Sequence, residues 1–254
     1  MAAVVLAVLV SGCLGLSGGE ATPTPTVESP TPTPQATPTP TDTPSVEPTH
    51  PEGWSEAGIE DPNVALQSHY SAVLEGPSAT VTYENRVLES AAAPGSNTTL
   101  GVALDPPAQR MHARIDAPAN SLEAFYADGT LTQWDVASQS VRNRTELAYP
   151  RAVQSADIRV LKSQLLLYDL EQTDTVQRDG TTVFVYNVTG VHNAASQTFG
   201  IARSGSGRVA VSADGRVRDI KTTVTYTNGT LAYRYRHTDF GGTTVETPEW
   251  AKQG

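Results

Sequence analysis

Very few residues of this chain are of a type and spacing that could do chemistry. Cys13 is the only cysteine, so its thiol can form neither an intrachain disulfide nor a redox pair. The five histidines are scattered singly, and the sequence has no His-Glu-x-x-His zinc motif and no Gly-x4-Gly-Lys-Ser/Thr phosphate loop. We therefore predict that the chain is not an enzyme, has no catalytic residue, and holds no metal and no cofactor.

The surroundings of Cys13 indicate a different use for its thiol. An apolar run over residues 2–10 precedes it, too short to span a bilayer, which takes about 20 residues. The run Leu9-Val10-Ser11-Gly12-Cys13 resembles a lipobox, at which the thiol receives a thioether-linked lipid before the residues ahead of it are removed. We predict a signal peptide over residues 1–12 and a lipid on Cys13. The alternatives are an ordinary secretory segment, a fraying terminus and part of a buried helix.

The predicted anchor decides where the protein would work. A lipid on Cys13 would hold the protein at the extracytoplasmic face of the cell membrane, so the membrane itself is the expected partner. Export signals begin with a positively charged segment, and residues 1–13 contain no Lys or Arg. We therefore expect that the true start lies upstream of Met1.

A Thr/Pro-rich stretch follows the cysteine. Threonine and proline alternate repeatedly between residues 22 and 44. Proline fixes φ and has no N–H to donate, and the stretch has too few apolar side chains to offset the entropy of ordering. Residues 13–53 are therefore predicted to be a lipidated N-terminus and a disordered stalk, and residues 54–254 a β-rich extracytoplasmic domain. A stiff polyproline-like tract of this length could hold a domain on the order of 100 Å from a membrane.

The charge is distributed unevenly along the chain. The net charge is −10, but the first basic residue is Arg86, and ten acidic residues precede it. Residues 86–254 therefore carry as many acidic as basic residues. A folded body of zero net charge argues against nucleic acid as a partner, because such binding depends on clustered Lys and Arg.

The pattern of the folded body is mainly β with two helices. Asp61 and Pro62 predict a helix start, and a helix over 62–75 is followed by a second over 155–170. Eleven segments alternate as strands, near residues 79–90, 98–104, 109–116, 121–127, 130–136, 139–145, 172–178, 181–189, 206–213, 216–227 and 230–239. We predict a mainly β (α+β) fold: a single curved antiparallel sheet of roughly eleven strands covered by two helices.

Four dipeptides are typical of hairpin turns: Asp128-Gly129, Asp179-Gly180, Asp214-Gly215 and Asn228-Gly229. If Asn228-Gly229 is a two-residue loop, Val224 lies opposite Tyr233 and Ile220 opposite His237. One face of this hairpin is then apolar and aromatic and the other polar, as expected for a sheet that is packed on one side only.

Two resemblances follow from these features. The run Val10 to Gly15, the Thr/Pro stalk, the Asp-Gly hairpins and the closing Thr247-Pro248-Glu249-Trp250 resemble the surface lipoproteins of halophilic archaea. The strand count and helix placement are similar to the LolA/LppX group of extracytoplasmic carriers. That resemblance implies a half-barrel with an apolar cavity for acyl chains, but no motif of the group identifies ligand-binding residues here.

Glycosylation acceptors are more frequent than catalytic motifs. Asn97, Asn143, Asn187 and Asn228 each begin an Asn-x-Thr triplet. Asn228 and Asn97 are favoured as glycosylation sites, because both are expected in turns.

Three functions remain open from the sequence. The first is a lipid-anchored carrier or binding module for a lipid or other apolar ligand, suggested by two amphipathic helices and a Tyr/Val/Leu-rich sheet face. The second is a non-catalytic structural or protein-interaction domain displayed at the surface, in which the same residues fill a dry core. The third is a hydrolase, which the spacing of polar residues does not support. A carrier requires a pocket of several hundred Å³.

Overall fold

The computed structural model describes residues 48–90, 96–118, 120–192, 195–196 and 198–252. It consists mainly of one antiparallel sheet of eleven strands in the order β8-β7-β6-β5-β4-β3-β14-β13-β12-β10-β9. The strands are β3 Ala79–Glu89, β4 Asn97–Asp105, β5 Arg110–Ala117, β6 Asn120–Ala127, β7 Thr130–Asp135, β8 Ser140–Glu146, β9 Tyr168–Arg178, β10 Thr181–Val191, β12 Gly200–Ser212, β13 Val217–Tyr226 and β14 Gly229–Thr238. Three short strands complete the set: β1 Trp54–Ser55 pairs with β2 Gly58–Ile59, and β11 Ala195–Ser196 pairs with β12.

The sheet is built from two meanders. Strands β3 to β8 follow one another in chain order, and so do β9, β10, β12, β13 and β14. The last strand, β14, pairs with β3 and joins the two halves. The outermost strands β8 and β9 do not pair with each other in the described part of the chain, so the sheet is curved but unclosed. The predicted fold class, a single antiparallel sheet of eleven main strands with few helices, is confirmed.

The hairpin turns follow the predicted chemistry at two positions. Asp128 and Asp179 have φ of 50° and 51°, and the glycines after them have φ of 78° and 73°. Positive φ at both central residues is the requirement of a type I′ turn.

The predicted register of the last hairpin is wrong by two residues. Tyr226 pairs with Gly229, so the loop is Thr227-Asn228, and Val224 lies opposite Leu231 rather than Tyr233. The backbone N–H groups of Thr227 and Asn228 donate to carbonyls at Ile201 and Phe199, which fixes the turn at this place. A shift of two residues leaves every side chain on its predicted face, which is why alternation alone could not detect it.

The first helix, α1 (Pro62–Leu74), forms as its start signals predict. The Asp61 carboxylate accepts hydrogen bonds from the backbone N–H groups of Asn63 and Val64, and Pro62 occupies the first turn.

The second helical segment differs from the prediction at both ends. It begins at Tyr149 with α2 (Tyr149–Val153), continues through a π-helical turn (Gln154–Ile158) and ends with α3 (Arg159–Leu165). Pro150 in the first turn favours the earlier start. Tyr168 and Leu170 are buried alternately with exposed neighbours and belong to β9, so the helix cannot reach residue 170. This segment connects the two outermost strands of the sheet.

The helices cover one face of the sheet, which we call the inner face. It carries the main apolar core, to which α1, α2 and α3 contribute buried side chains. Beneath β12 to β14 this core is filled: Val209, Ile220 and Val224 are fully buried, and the Tyr226 and Tyr233 hydroxyls lie 3.1 Å apart. No helix among the described residues is long and apolar enough to cross a membrane.

A glycine in β12 gives a direct test of the sheet. Gly207 has φ of 130°, and a Cβ there would lie 2.2 Å from the Lys221 carbonyl oxygen and 2.7 Å from the Thr222 Cα. Gly207→Ala should therefore lower the free energy of unfolding by about 3 kcal/mol in urea denaturation. Gly101 in β4 has open space around its Cα and an ordinary φ, so Gly101→Ala should change stability by less than about 1 kcal/mol. Equal losses in the two variants would contradict the packing described.

Candidate functional site: an apolar pocket under the second helical segment

A pocket of about 480 Å³ lies between the inner face of β3 to β7 and the π-helical turn with α3. Its lining is mostly apolar and comprises Tyr83, Leu100, Met111, Ala113, Ile115, Leu122, Glu123, Ala124, Leu131, Gln133, Ser155, Ala156, Val160 and Ser163. Several of its apolar walls are only half-buried, among them Ile115, Leu122 and Val160. The pocket is therefore open to solvent while its surface remains largely apolar.

Small side chains create the space. Ala113 in β5 pairs directly with Ala124 in β6, which pairs in turn with Gln133 in β7. Ala156 of the π-helical turn lies on the opposite wall. Methyl groups at these positions leave unfilled volume that larger apolar side chains would occupy in a close-packed core.

Among the described residues of the lining the polar groups are few, and all but Glu123 are uncharged. The Ser155 and Ser163 hydroxyls donate to the carbonyl oxygens of Ala152 and Val160, each at 2.7 Å. Burial raises the pKa of the Tyr83 hydroxyl well above its ordinary value, with a further contribution from Tyr226, so this group stays neutral.

The charged residue of the lining, Glu123, is held from the outer face. Its Oε2 accepts from Trp250 Nε1 at 2.6 Å and its Oε1 from Arg114 Nη1 at 2.7 Å. Burial raises the pKa of this carboxyl, but the bonds from Trp250 and His112 and the nearby Arg114 charge together lower it. Glu123 is therefore an ionised carboxylate with its hydrogen bonds satisfied outside the pocket.

The chain's closing segment braces the same strands from the outer face. Trp250 stacks on Trp134 of β7 with ring centroids 5.5 Å apart and an interplanar angle of 8°. Arg110 of β5 donates to the Thr247 hydroxyl at 2.5 Å. The tetrapeptide 247–250 thus packs on the outer face of the strands whose inner face forms the pocket wall.

A second cluster of polar residues lies inside the filled half of the core. His69 of α1 contacts Asp157 of the π-helical turn, with Nε2 3.1 Å from Oδ2, and the Tyr235 hydroxyl donates to Asp157 Oδ1 at 2.9 Å. The backbone N–H of Val217 donates to His69 Nδ1 at 3.0 Å. Nε2 must then carry the proton that the Asp157 carboxylate accepts.

This cluster resembles a His–Asp pair of an active site but lacks the geometry for catalysis. Both ring nitrogens of His69 are engaged, one of them by a backbone amide, so the ring has no free nitrogen to act as a base. His69, Asp157 and Tyr235 are all fully or almost fully buried. Burial raises the pKa of Asp157, but the His69 hydrogen bond and the neighbouring charges lower it by more than burial raises it. The carboxyl therefore remains ionised. The cluster fastens the π-helical turn to α1 and β14.

The histidines are scattered singly along the sequence, but the fold brings two of them together. The rings of His69 and His237 are 6.1 Å apart. His237 is buried, and its Nδ1 has no hydrogen-bond partner within the described residues. Burial lowers the pKa of His237 to about 3, and Asp157 opposes that shift only in part.

The other predicted site residues are not brought together. Cys13 and the stalk up to residue 47 lie outside the described residues. Asn97 is exposed at the start of β4 rather than in a turn, Asn228 is exposed in the β13–β14 loop, and Asn143 and Asn187 are exposed in strands. Within the described ranges no group of three or more His, Cys, Asp or Glu side chains could hold a metal ion.

The pocket was not identified from the sequence. The carrier hypothesis placed a cavity under two helices. Among the described residues only the second segment lines the pocket, and α1 packs over the filled half. The available signal was the row Ala113–Ala124–Gln133, which becomes visible only once the register of three strands is known.

The buried His237 predicts a pH dependence. The unfolded chain takes up a proton below an ordinary pKa of about 6.5, whereas the folded protein resists this until about pH 3, so stability falls as the pH drops through that window. Asp157 loses its stabilising charge as the pH falls as well, so the two effects have the same sign.

We expect wild type to lose more stability than His237→Phe between pH 6.5 and pH 4.5, by about 2 kcal/mol, in thermal and urea unfolding. His192→Gln, which changes a side chain that is 60% exposed, should keep the wild-type profile. Parallel profiles for wild type and His237→Phe would contradict the assignment.

Comparisons with known proteins give a family and several similar structures, but no activity. Among curated proteins, none matches this chain. Similar solved structures include LprF from Mycobacterium bovis (TM-score 0.36, 12% identity, 75% of this chain and 97% of that one) and the Mycobacterium tuberculosis lipoprotein LppX (0.35, 11%, 72% and 96%). A LolA superfamily protein from Nitrosomonas europaea matches at a TM-score of 0.28 with 11% identity, over 74% and 94% of the two chains.

At these TM-scores and identities the similarity is too slight to transfer a ligand or a function. It does place members of the LolA and LppX group among the structures to which this chain is similar. A family model matches residues 1–254, and the chain therefore belongs to the family of unknown function DUF7537.

Proposed function

We propose that this protein is a lipid-anchored extracytoplasmic carrier or binding module that holds one apolar ligand in the pocket under the second helical segment. The observation that carries the proposal is the pocket itself: about 480 Å³ of space with mostly apolar walls beside an otherwise filled core. Small-molecule sites typically have volumes of about 300–1,000 Å³ and the same apolar character.

The energetics support a ligand with a hydrocarbon chain. Burying a methylene contributes about 0.8 kcal/mol, so ten buried methylenes would contribute about 8 kcal/mol before the entropy of association is subtracted. Half-buried walls such as Ile115, Leu122 and Val160 would be covered by such a chain.

The anchor is the second part of the proposal. Its support is the position of Cys13 after an apolar run and before a Thr/Pro-rich stretch. A lipid there, followed by an extended spacer, would keep the pocket outside the cell and within reach of the membrane. The competing proposal, a displayed interaction domain with no ligand, predicts that the pocket stays empty in the isolated protein.

The pocket makes a testable prediction. Native protein should retain an apolar ligand in native mass spectrometry, and the full chain should bind the neutral probe N-phenyl-1-naphthylamine. Ala124→Phe should fill the pocket and weaken probe binding at least tenfold without lowering the midpoint of thermal unfolding. Ala103→Phe, on the outer face of β4, is the matched control and should bind as wild type does. Probe binding that Ala124→Phe leaves unchanged would reject the carrier proposal.

The anchor makes a second prediction. In a precursor with a functional export signal, radiolabelled lipid should be incorporated into the protein, and Cys13→Ser should abolish the label because no thiol remains to form the thioether. Ser17→Ala, which leaves the cysteine in place, should be labelled normally. A Cys13→Ser protein that is labelled as strongly as wild type would refute lipid attachment at this residue.

A further inference from the structure

We propose that the pocket selects ligands whose polar end is uncharged and carries a hydrogen-bond donor, such as a long-chain alcohol or amide, over fatty acids of the same length. This inference rests on the proposed function, because it names the class of ligand for the same pocket. It is drawn from the charges and hydrogen bonds of the lining.

The described residues of the lining supply no cation to a ligand. Among the described residues that form it there is no Lys, Arg or His. Its one ionised side chain, Glu123, is negative and is bonded by Trp250 and Arg114 on the outer face. A carboxylate that moves from water into this pocket would lose part of its hydration without meeting a counter-ion among these residues, which is unfavourable.

The two serine hydroxyls of the lining can only accept a hydrogen bond from a ligand, because both already donate their hydrogens. Ser155 and Ser163 already donate their hydrogens to helix carbonyl oxygens, at 2.7 Å each. Their oxygens retain lone pairs that can accept a hydrogen bond from a ligand. An alcohol or an amide can donate such a bond, whereas an ionised carboxylate can only accept.

Gln133 supplies the complementary group. It lies in register with Ala124 in the middle of the pocket strands, and its amide forms no hydrogen bond within the described part of the chain. The Gln133 amide can donate a hydrogen bond to the oxygen of a ligand hydroxyl, while that hydroxyl donates its hydrogen to a serine oxygen. Gln133 is therefore the residue that we expect to determine specificity for the polar end of the ligand.

The experiment compares two ligands of equal chain length. 1-Hexadecanol and palmitate would displace N-phenyl-1-naphthylamine from the full chain at pH 8, where palmitate is ionised. Wild type should bind the alcohol at least tenfold more tightly than the acid. Gln133→Lys adds a cation to the pocket and should reverse the order, tightening palmitate at least tenfold and weakening the alcohol. Gln133→Met keeps the volume without the amide and should weaken the alcohol only.

The possible failures are distinguishable. Equal affinity for the two ligands, or tighter binding of palmitate to wild type, would overturn this inference and leave the carrier proposal standing. If wild type binds palmitate more tightly and Lys162→Gln abolishes that preference, the exposed lysine of α3 acts as a counter-ion, and the inferred selectivity for uncharged ligands is wrong. If neither ligand nor the probe binds to a folded protein, both this inference and the proposed function fail.

Discussion

The pairing of β14 with β3 is the constraint on which the rest of the structure depends. Each half of the sheet is a meander in which strands that follow one another in the chain pair as hairpins. Hairpins of this kind form from local contacts. The nine residue pairs between β3 and β14, from Thr230 with Glu89 to Thr238 with Thr80, join segments about 150 residues apart. Only this pairing places β8 and β9 at opposite edges of one sheet. The pocket half and the filled half therefore owe their common inner face to a single long-range ladder.

The helical cover follows from that arrangement. Because β8 and β9 lie at opposite edges, the segment that connects them must cross the sheet, and it crosses on the inner face. Its π-helical turn carries Asp157 into the core, where His69 and Tyr235 satisfy the carboxylate. A buried carboxylate is tolerated only with such partners, so Asp157 fixes where the segment can lie. In that position α3 lies over β3 to β7 on the inner face and forms the wall of the pocket that faces the sheet.

The sequence predicts the strands and helices of this fold better than it predicts the register and pairing of the strands. All eleven main strands were predictable, because Asp-Gly turns and alternating residues are local signals. The two-residue error at Thr227-Asn228 arose because both registers give the same faces, and the choice is made by hydrogen bonds to the neighbouring strand. The position of the pocket could not be predicted for a related reason. Ala113 and Ala124 are ordinary strand residues until pairing places them side by side.

The filled core and the open pocket occupy different halves of the same face. Beneath β12 to β14 large side chains such as Ile220 and Tyr235 complete a close-packed core. Beneath β5 to β7 alanines leave space, and the missing inner contacts are balanced by contacts of the closing segment on the outer face, where Trp250 stacks on Trp134. The walls of the pocket are therefore supported by the protein's own contacts. A ligand that entered could then gain free energy from burial without having to order the strands that receive it, which is the physical advantage of a preformed site.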